Sequence, residues 1–189
     1  MAGEAYREVK QWPPARRNTL CTELLKSGLN EEGVLAIYLY QRFQKQCAAC
    51  EFRLFARWVE RYVDNWGWCD GIAHYLLSAA IANQPELARL LPPWTASRNR
   101  WKRRAAAVAL VHEARRGRCT GLILEVARRM LPDTDDLVRK AVGWLLKEAY
   151  VARPREVMAF LRSEGKNVPR LVVRIIGEKM TVEDRLQVK

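Results

Sequence analysis

The segment Leu137–Val142 (LVRKAV) has a counterpart 36 residues earlier in the chain, Trp101–Ala106 (WKRRAA). In both segments two basic residues stand directly before an alanine. Lys140–Gly143 (KAVG) has a second counterpart 34 residues later, Arg174–Gly177 (RIIG). Repeats of this length each cover about two helices, and such helix pairs stack into α-solenoids. The spacing therefore predicts an all-α, HEAT-like α-solenoid of antiparallel helix pairs with a concave basic face.

Helical periodicity extends over nearly the whole chain, whereas the alternation typical of strands is almost absent. We expect about ten helices and no sheet. Residues 1–189 are predicted to form one repeat domain, with shortened amino-terminal helices in 1–50 and core repeats in 51–180. The helices are predicted at Asn18–Lys26, Glu31–Lys45, Glu51–Val63, Trp66–Ala82, Arg98–Arg115, Thr120–Met130, Asp135–Ala152, Pro154–Arg162 and Pro169–Met180, with a short turn after Gln84.

Charge is the most informative bulk property of the 189 residues, because 33 Lys and Arg against 21 Asp and Glu give a formal net charge of +12. Such an excess favours a polyanionic partner. Arginine predominates, and its planar guanidinium binds phosphate well, which favours nucleic acid without separating DNA from RNA. The sequence contains no apolar run long enough for a membrane span and no signal peptide at its start. We expect a soluble cytoplasmic protein, associated with the nucleoid in a bacterium.

The five cysteines are odd in number and form no regular framework, which is typical of free thiols in a reducing compartment. Cys47 and Cys50 form a CxxC pair, but a structural zinc site normally needs four ligands in paired spacings. Buried thiols are the simpler interpretation, and we expect neither a metal nor another cofactor.

An acidic residue stands beside aromatic residues in Trp66–Asp70 (WGWCD). Trp66 and Asp70 are four residues apart, so their side chains lie on the same face of a helix. A carboxylate near an aromatic ring, in a basic protein, suits a cationic centre held within a polyanion. The alternative is that the tryptophans belong to the core and that Asp70 is solvated near a helix start.

Two further places carry unusual residues. A basic run surrounds Trp101, and it is either a solvated helix face or a phosphate-contacting surface. Gly143 precedes Trp144 inside a predicted helix, where the glycine would leave an open patch beside the indole for a ligand; the alternative is a buried tryptophan. The basic run consists of Arg98, Arg100, Lys102, Arg103 and Arg104.

Together these segments resemble the AlkD-type DNA glycosylases, a DNA alkylation-repair family built from HEAT-like repeats. Trp66–Asp70 resembles the family's Trp-x-x-x-Asp segment, and Trp101–Arg104 its Trp-x-Arg-Arg segment. Lys140–Trp144 (KAVGW) is similar to its Lys-Ala-Ile-Gly-Trp segment, the most specific of the three. The resemblance covers roughly Glu51 to Met180. Gly67, Cys69 and the short amino-terminal part depart from the family pattern.

The resemblance implies a monomeric, monofunctional DNA glycosylase of base excision repair that removes cationic N3- or N7-alkylated purines from duplex DNA without full base flipping. Asp70 would be the catalytic carboxylate, Trp66 and Trp144 would line the lesion site, and Arg104, with Arg100 and Arg103, would contact the DNA backbone. Trp68 and Trp101 are interpreted as packing residues.

The chemistry of the lesion is consistent with this assignment. A purine alkylated at N3 or N7 is already cationic, so the enzyme needs mainly to stabilise the developing sugar cation and to position water. Three alternatives remain: a non-catalytic HEAT-repeat protein that binds damaged or branched DNA, an RNA-binding protein, and a protein-binding scaffold. The scaffold does not explain the charge of +12.

Overall fold

The computed structural model describes residues 2–188, which are mostly helical and contain no β-strand, so the predicted all-α class is confirmed. Contacts between Cα atoms divide the chain into two compact units, the first ending at Leu87 and the second beginning at Ala88. The organisation of 1–189 as one repeat domain stays a prediction. No helix within 2–188 is long and apolar enough to cross a membrane.

Within residues 2–87, the first unit contains six α-helices, of which α2 begins at a proline and α3 at an asparagine. Pro14 is the first residue of α2, where the missing N–H costs nothing. A π-helical segment, Gly71–Leu77, joins α5 to α6 without a break. The helices are α1 Ala2–Val9, α2 Pro14–Lys26, α3 Asn30–Gln41, α4 Ala49–Arg61, α5 Trp66–Asp70 and α6 Ser78–Asn83.

The core of the first unit is aromatic. Tyr40 packs edge-on against Phe55 and Trp58, with ring centroids 5.0 Å and 5.6 Å apart. All three side chains are buried, and the Trp58 indole N–H donates to Thr22 Oγ1 at 3.0 Å. Because the polar atom of Trp58 finds a partner in α2, its large apolar ring can be buried without an unsatisfied donor. This cluster holds α2, α3 and α4 together.

The second unit is arranged around α10, which contacts the neighbouring helices α7, α8, α9, α11 and α12. Asp135 caps α10, its side chain accepting from Leu137 N at 2.9 Å. Pro154 begins the helix that follows. The helices are α7 Arg100–Val108, α8 Val111–Arg115, α9 Thr120–Met130, α10 Asp136–Ala152, α11 Pro154–Glu164, α12 Arg170–Gly177 and α13 Val182–Gln187.

The segments that repeat in the sequence lie on α7, α10 and α12, and both α7 and α12 pack against α10. Equivalent helices of successive repeats are therefore neighbours, as stacked repeats require. Most predicted helices are present within a few residues of their expected ends, and α9 has the expected ends.

The single long helix expected at Arg98–Arg115 is wrong. Asn99 begins α7 because its side chain accepts from the N–H groups of Trp101 and Lys102, at 2.8 Å and 3.4 Å. The helix then ends at Val108, where Leu110 N donates to Ala107 O in a tighter turn before α8 begins. The prediction also omitted α1, α13 and the 3₁₀ helix Pro92–Ala96.

Candidate functional site

The first unit presents Trp66 and Asp70 at opposite ends of α5. Asn65 caps this helix, its side-chain oxygen accepting from Trp68 N at 2.9 Å, so the helix begins at Trp66. Trp66 leaves 61% of its surface exposed, unlike a core tryptophan, and Asp70 is half-buried. One turn of helix separates the two, which places them on the same face. The structure therefore brings together an accessible indole and a carboxylate, as the spacing predicted.

The opposite face of α5 is buried in the core of the first unit. Trp68 and Cys69 are 2% and 0% exposed, so the interpretation of Trp68 as a packing residue is confirmed. Its indole lies directly against Gly33 of α3, so closely that any Cβ at Gly33 would overlap the ring. Next along the helix, a Cβ at Gly71 would come within 3.1 Å of Ile37, also in α3. Gly33 and Gly71 thus let α3 pack closely against α5 and the segment that follows it. This packing holds α5, and with it Trp66 and Asp70, in position.

The helix changes pitch immediately after Asp70. Gly71–Leu77 is π-helical, and such segments are rare and frequently mark functional sites. Its apolar residues Ile72 and Leu76 are fully buried, while Tyr75 is half-buried with its ring 6.5 Å from that of Tyr38. The π-helical segment begins directly after the carboxylate, and nothing in the sequence pattern indicated it.

A stripe of arginines on α4 was not predicted from the sequence. Arg53, Arg57 and Arg61 are exposed and follow one another at the four-residue spacing that aligns side chains along a helix. Arg53 donates to Cys50 Sγ at 3.4 Å, and within residues 2–188 none of the three forms an ion pair. This spacing was visible in the sequence as the counterpart of the apolar face of the same helix.

Trp144 lies half-buried on α10 in the second unit, where it takes part in a charged network. Its indole N–H donates to the carboxylate of Glu148, one turn later. Glu148 is only 8% exposed and also accepts from Arg115 Nε at 2.9 Å. These hydrogen bonds, that of Arg115 first, hold the pKa of Glu148 below its ordinary value despite its burial. Glu148 therefore fixes the orientation of the Trp144 ring.

The expectation of an open patch at Gly143 is wrong. Gly143 is buried, and a Cβ there would come within 2.9 Å of Ile175 on α12. The glycine is needed because α10 and α12 approach each other closely at this point. Its role is helix packing, and any ligand at Trp144 would have to contact the exposed part of the indole instead.

The three arginines predicted to contact DNA all have partners within the second unit. Arg100 pairs with Asp135 and keeps 49% of its side chain exposed. Arg103 donates to Asp133 Oδ2 at 2.6 Å, and its side chain is 19% exposed. Arg104 is 7% exposed and donates to the carbonyl of Leu137. Arg100 is thus the most accessible of the three, and the role of the group in DNA binding stays a prediction.

Two further cations of the second unit are exposed and have no acidic partner within residues 2–188. Arg98 and Lys140 are exposed and form no ion pair within residues 2–188. The half-buried Lys102 lies over the ring of Trp94, 5.6 Å from its centroid. Arg98 was part of the basic run noted in the sequence, and Lys140 part of the KAVGW segment.

Potential metal ligands do not converge, since no group of three His, Cys, Asp or Glu side chains forms a site within the described residues 2–188. Cys47 of the CxxC pair is buried, and burial raises its pKa to about 12, which keeps it a thiol near neutral pH. Cys50 is exposed. The pair offers no reactive thiolate in a buried site.

Two comparisons with known proteins give matches. A family model described as "DNA alkylation repair enzyme" matches residues 2–180. A solved structure described as "Predicted DNA alkylation repair enzyme from Enterococcus faecalis" is similar with a TM-score of 0.85 and 15% sequence identity, over 96% of this chain and 83% of that chain. Among curated proteins there is no match. At 15% identity the structural similarity shows a shared all-α fold alone. The family model is a match of the sequence itself, and it extends over nearly the whole chain.

Proposed function

Because this chain belongs to the DNA alkylation repair enzyme family, we propose that it is a monofunctional DNA glycosylase that removes cationic N3- or N7-alkylated purines from duplex DNA. The observation that carries the proposal is the pair formed by Trp66 and Asp70 on α5. Trp66 leaves 61% of its surface exposed, so its indole is accessible to a ligand, and a half-buried carboxylate lies one turn away.

In this proposal Asp70 acts electrostatically. Breaking the glycosidic bond of a cationic purine leaves positive charge on the sugar, and a fixed carboxylate stabilises that charge as it develops. Asp70 also orients the attacking water. No proton donor is needed for the leaving base, because the alkylated purine departs as a neutral molecule. Asn65, Gly33 and Gly71 support the reaction indirectly by fixing the position of α5.

Trp66 and Trp144 are the proposed contacts for the cationic nucleobase or the sugar edge. An indole face attracts a cation by about 0.5–2 kcal/mol, more when water is excluded. This attraction favours an alkylated purine over an ordinary one, since only the former is cationic. Recognition through the positive charge also allows excision without full base flipping.

Basic residues supply affinity for the duplex. Arg100, Arg103 and Arg104 each have a partner within the protein, and Arg100, with 49% of its side chain exposed, offers the most accessible guanidinium for phosphate oxygens. Exposed Arg57 and Arg61 on α4 add cations that no carboxylate neutralises within residues 2–188. We place DNA-backbone contacts at both groups.

The test is release of free base from a duplex that carries a single 7-methylguanine, measured by chromatography and compared with an unmodified duplex. The proposal expects release from the modified duplex only, by the protein alone. Binding of both duplexes without release of any base would instead indicate a non-catalytic protein that binds DNA.

A further inference from the structure

A cleft lies in the second unit, between the end of α11 and the beginning of α12. Its volume is about 880 Å³, within the range of about 300–1,000 Å³ that is typical of ligand pockets. The 3₁₀ helix Gly165–Asn167 closes one side, and Gln187 and Val188, at the end of α13, line another. Neither Trp144 nor the proposed DNA-contacting arginines line this cleft.

Four cations surround the cleft, and none of the described residues that line it is acidic. All four are exposed, and Arg162 alone has a polar side-chain partner in the cleft, donating to Gln187 Oε1 at 3.1 Å. Of the acidic residues nearby in the sequence, Glu164 pairs with Arg128, and Glu178 pairs with Lys147 and also interacts electrostatically with Arg174. With four cations and, within residues 2–188, a single acidic neighbour outside its lining, the cleft keeps a net positive charge. Its cations are Arg162, Lys166, Arg170 and Arg174.

The cleft also has an apolar floor. Leu161 and Val168 are buried in the unit, while Val173 and Val188 are half-buried and leave apolar surface open to a ligand. A ligand that fills the cleft must therefore bring both negative charge and apolar groups. A phosphodiester backbone would satisfy the cations but would bring no apolar group to cover Val173.

We propose that this cleft binds an acidic peptide segment of a partner protein, one that carries apolar side chains beside its carboxylates. The carboxylates pair with Arg162, Lys166, Arg170 and Arg174, and the apolar side chains cover Val173 and Val188. Such a contact would attach the protein to a partner without occupying the proposed catalytic residues. The inference is independent of the proposed glycosylase activity.

The experiment measures binding of a fluorescein-labelled peptide, Glu-Asp-Asp-Leu-Phe, to the full chain by fluorescence anisotropy. A second peptide, Glu-Asp-Asp-Ser-Ser, has the same charge without the apolar side chains. We expect the first peptide to bind and the second to bind about tenfold more weakly or not at all. Equal binding of the two peptides, or no binding of the first, would overturn the proposal.

Two variants with the same change of net charge locate the site. Arg170→Glu with Arg174→Glu reverses two cations of the cleft, and we expect at least about tenfold weaker peptide binding. Arg98→Glu with Lys140→Glu reverses two exposed cations outside the cleft and should leave peptide binding unchanged. Equal losses in both variants would show that only net charge matters and would overturn the proposal.

A short unmodified duplex serves as competitor to separate a peptide from DNA as the occupant. The proposal expects the duplex to leave the peptide bound and to bind the Arg170→Glu, Arg174→Glu variant as it binds the wild type. If the duplex displaces the peptide and loses its own affinity for that variant, the cleft is a DNA-binding surface. Circular dichroism establishes that the variants fold, and Val173→Ser, which removes apolar contact without changing charge, provides a milder test.

Discussion

Replacing Gly33 with alanine tests how the first unit holds Trp66 and Asp70 in place. The Cβ of an alanine at this position would overlap three atoms of the Trp68 indole. The ring cannot easily move, because Trp68 is only 2% exposed and is surrounded by packed side chains. Either α3 and α5 separate or Trp68 leaves its preferred rotamer, and both changes displace α5.

The size of the effect follows from two opposing contributions. Overpacking a buried site costs about 1–3 kcal/mol, and extensive overlap with an immobile ring places this site near the upper limit. Alanine gains about 1 kcal/mol over glycine inside a helix. The net loss in the free energy of unfolding is therefore about 2 kcal/mol. For a chain of 189 residues, this corresponds to a fall in Tm of about 4–8 °C.

The assay is thermal unfolding followed by circular dichroism, with base release from 7-methylguanine duplex measured on the same samples. Gly121→Ala is the matched control, since a Cβ at Gly121 in α9 meets no atom within 4 Å. We expect the control to be neutral or stabilised. Adding Trp68→Leu to Gly33→Ala removes the overlapping ring, so the two effects should couple by about 1 kcal/mol or more. A Gly33→Ala protein as stable as the control would refute the close packing of α3 on α5.

Three further changes test the cap, the carboxylate network and the arginine stripe. Asn65→Ala removes the acceptor for Trp68 N and should cost about 1 kcal/mol of stability and slow base release, whereas Asn65→Asp, which keeps an acceptor, should restore both. Glu148→Gln removes a carboxylate whose pKa lies below its ordinary value of 4.5. The higher Tm of the wild type should therefore be fully present above pH 4.5 and should be lost as the pH falls through the lowered pKa. A difference in Tm that does not depend on pH would contradict the network. Arg57→Glu should lower the salt dependence of duplex binding by about 1 in log–log slope, while Arg129→Glu, at an exposed arginine already paired with Glu125, should leave the slope unchanged.

The sequence predicted those features that repeat along the chain or depend on spacing within one helix. The all-α class followed from periodicity, the neighbouring positions of α7, α10 and α12 from the repeat, and the shared face of Trp66 and Asp70 from their four-residue spacing. The arginine stripe on α4 was not predicted, although its four-residue spacing is visible in the sequence opposite the apolar face of the same helix.

The features that were missed depend on contacts between distant residues. Gly143 was interpreted as an open patch because Ile175, which fills that space, lies 32 positions further along the chain. The contact of Gly33 with Trp68 and the π-helical turn after Asp70 likewise arise from packing rather than from local pattern. The break between α7 and α8 was also not predicted, because the run of alanine and valine at this point is compatible with a continuous helix. The structure instead has a tighter turn there, in which Leu110 N donates to Ala107 O.

The central claim is that Asp70 provides the charge that breaks the glycosidic bond, and the most direct measurement compares base release by the wild type and by Asp70→Asn. The substrate is a duplex with one 7-methylguanine, under single-turnover conditions, and Asp64→Asn is the control because Asp64 is an exposed carboxylate just before α5. We predict that Asp70→Asn binds the duplex normally but releases the base about 10²- to 10³-fold more slowly, while Asp64→Asn behaves as the wild type. Equal rates of release by the wild type and Asp70→Asn would contradict the role assigned to Asp70.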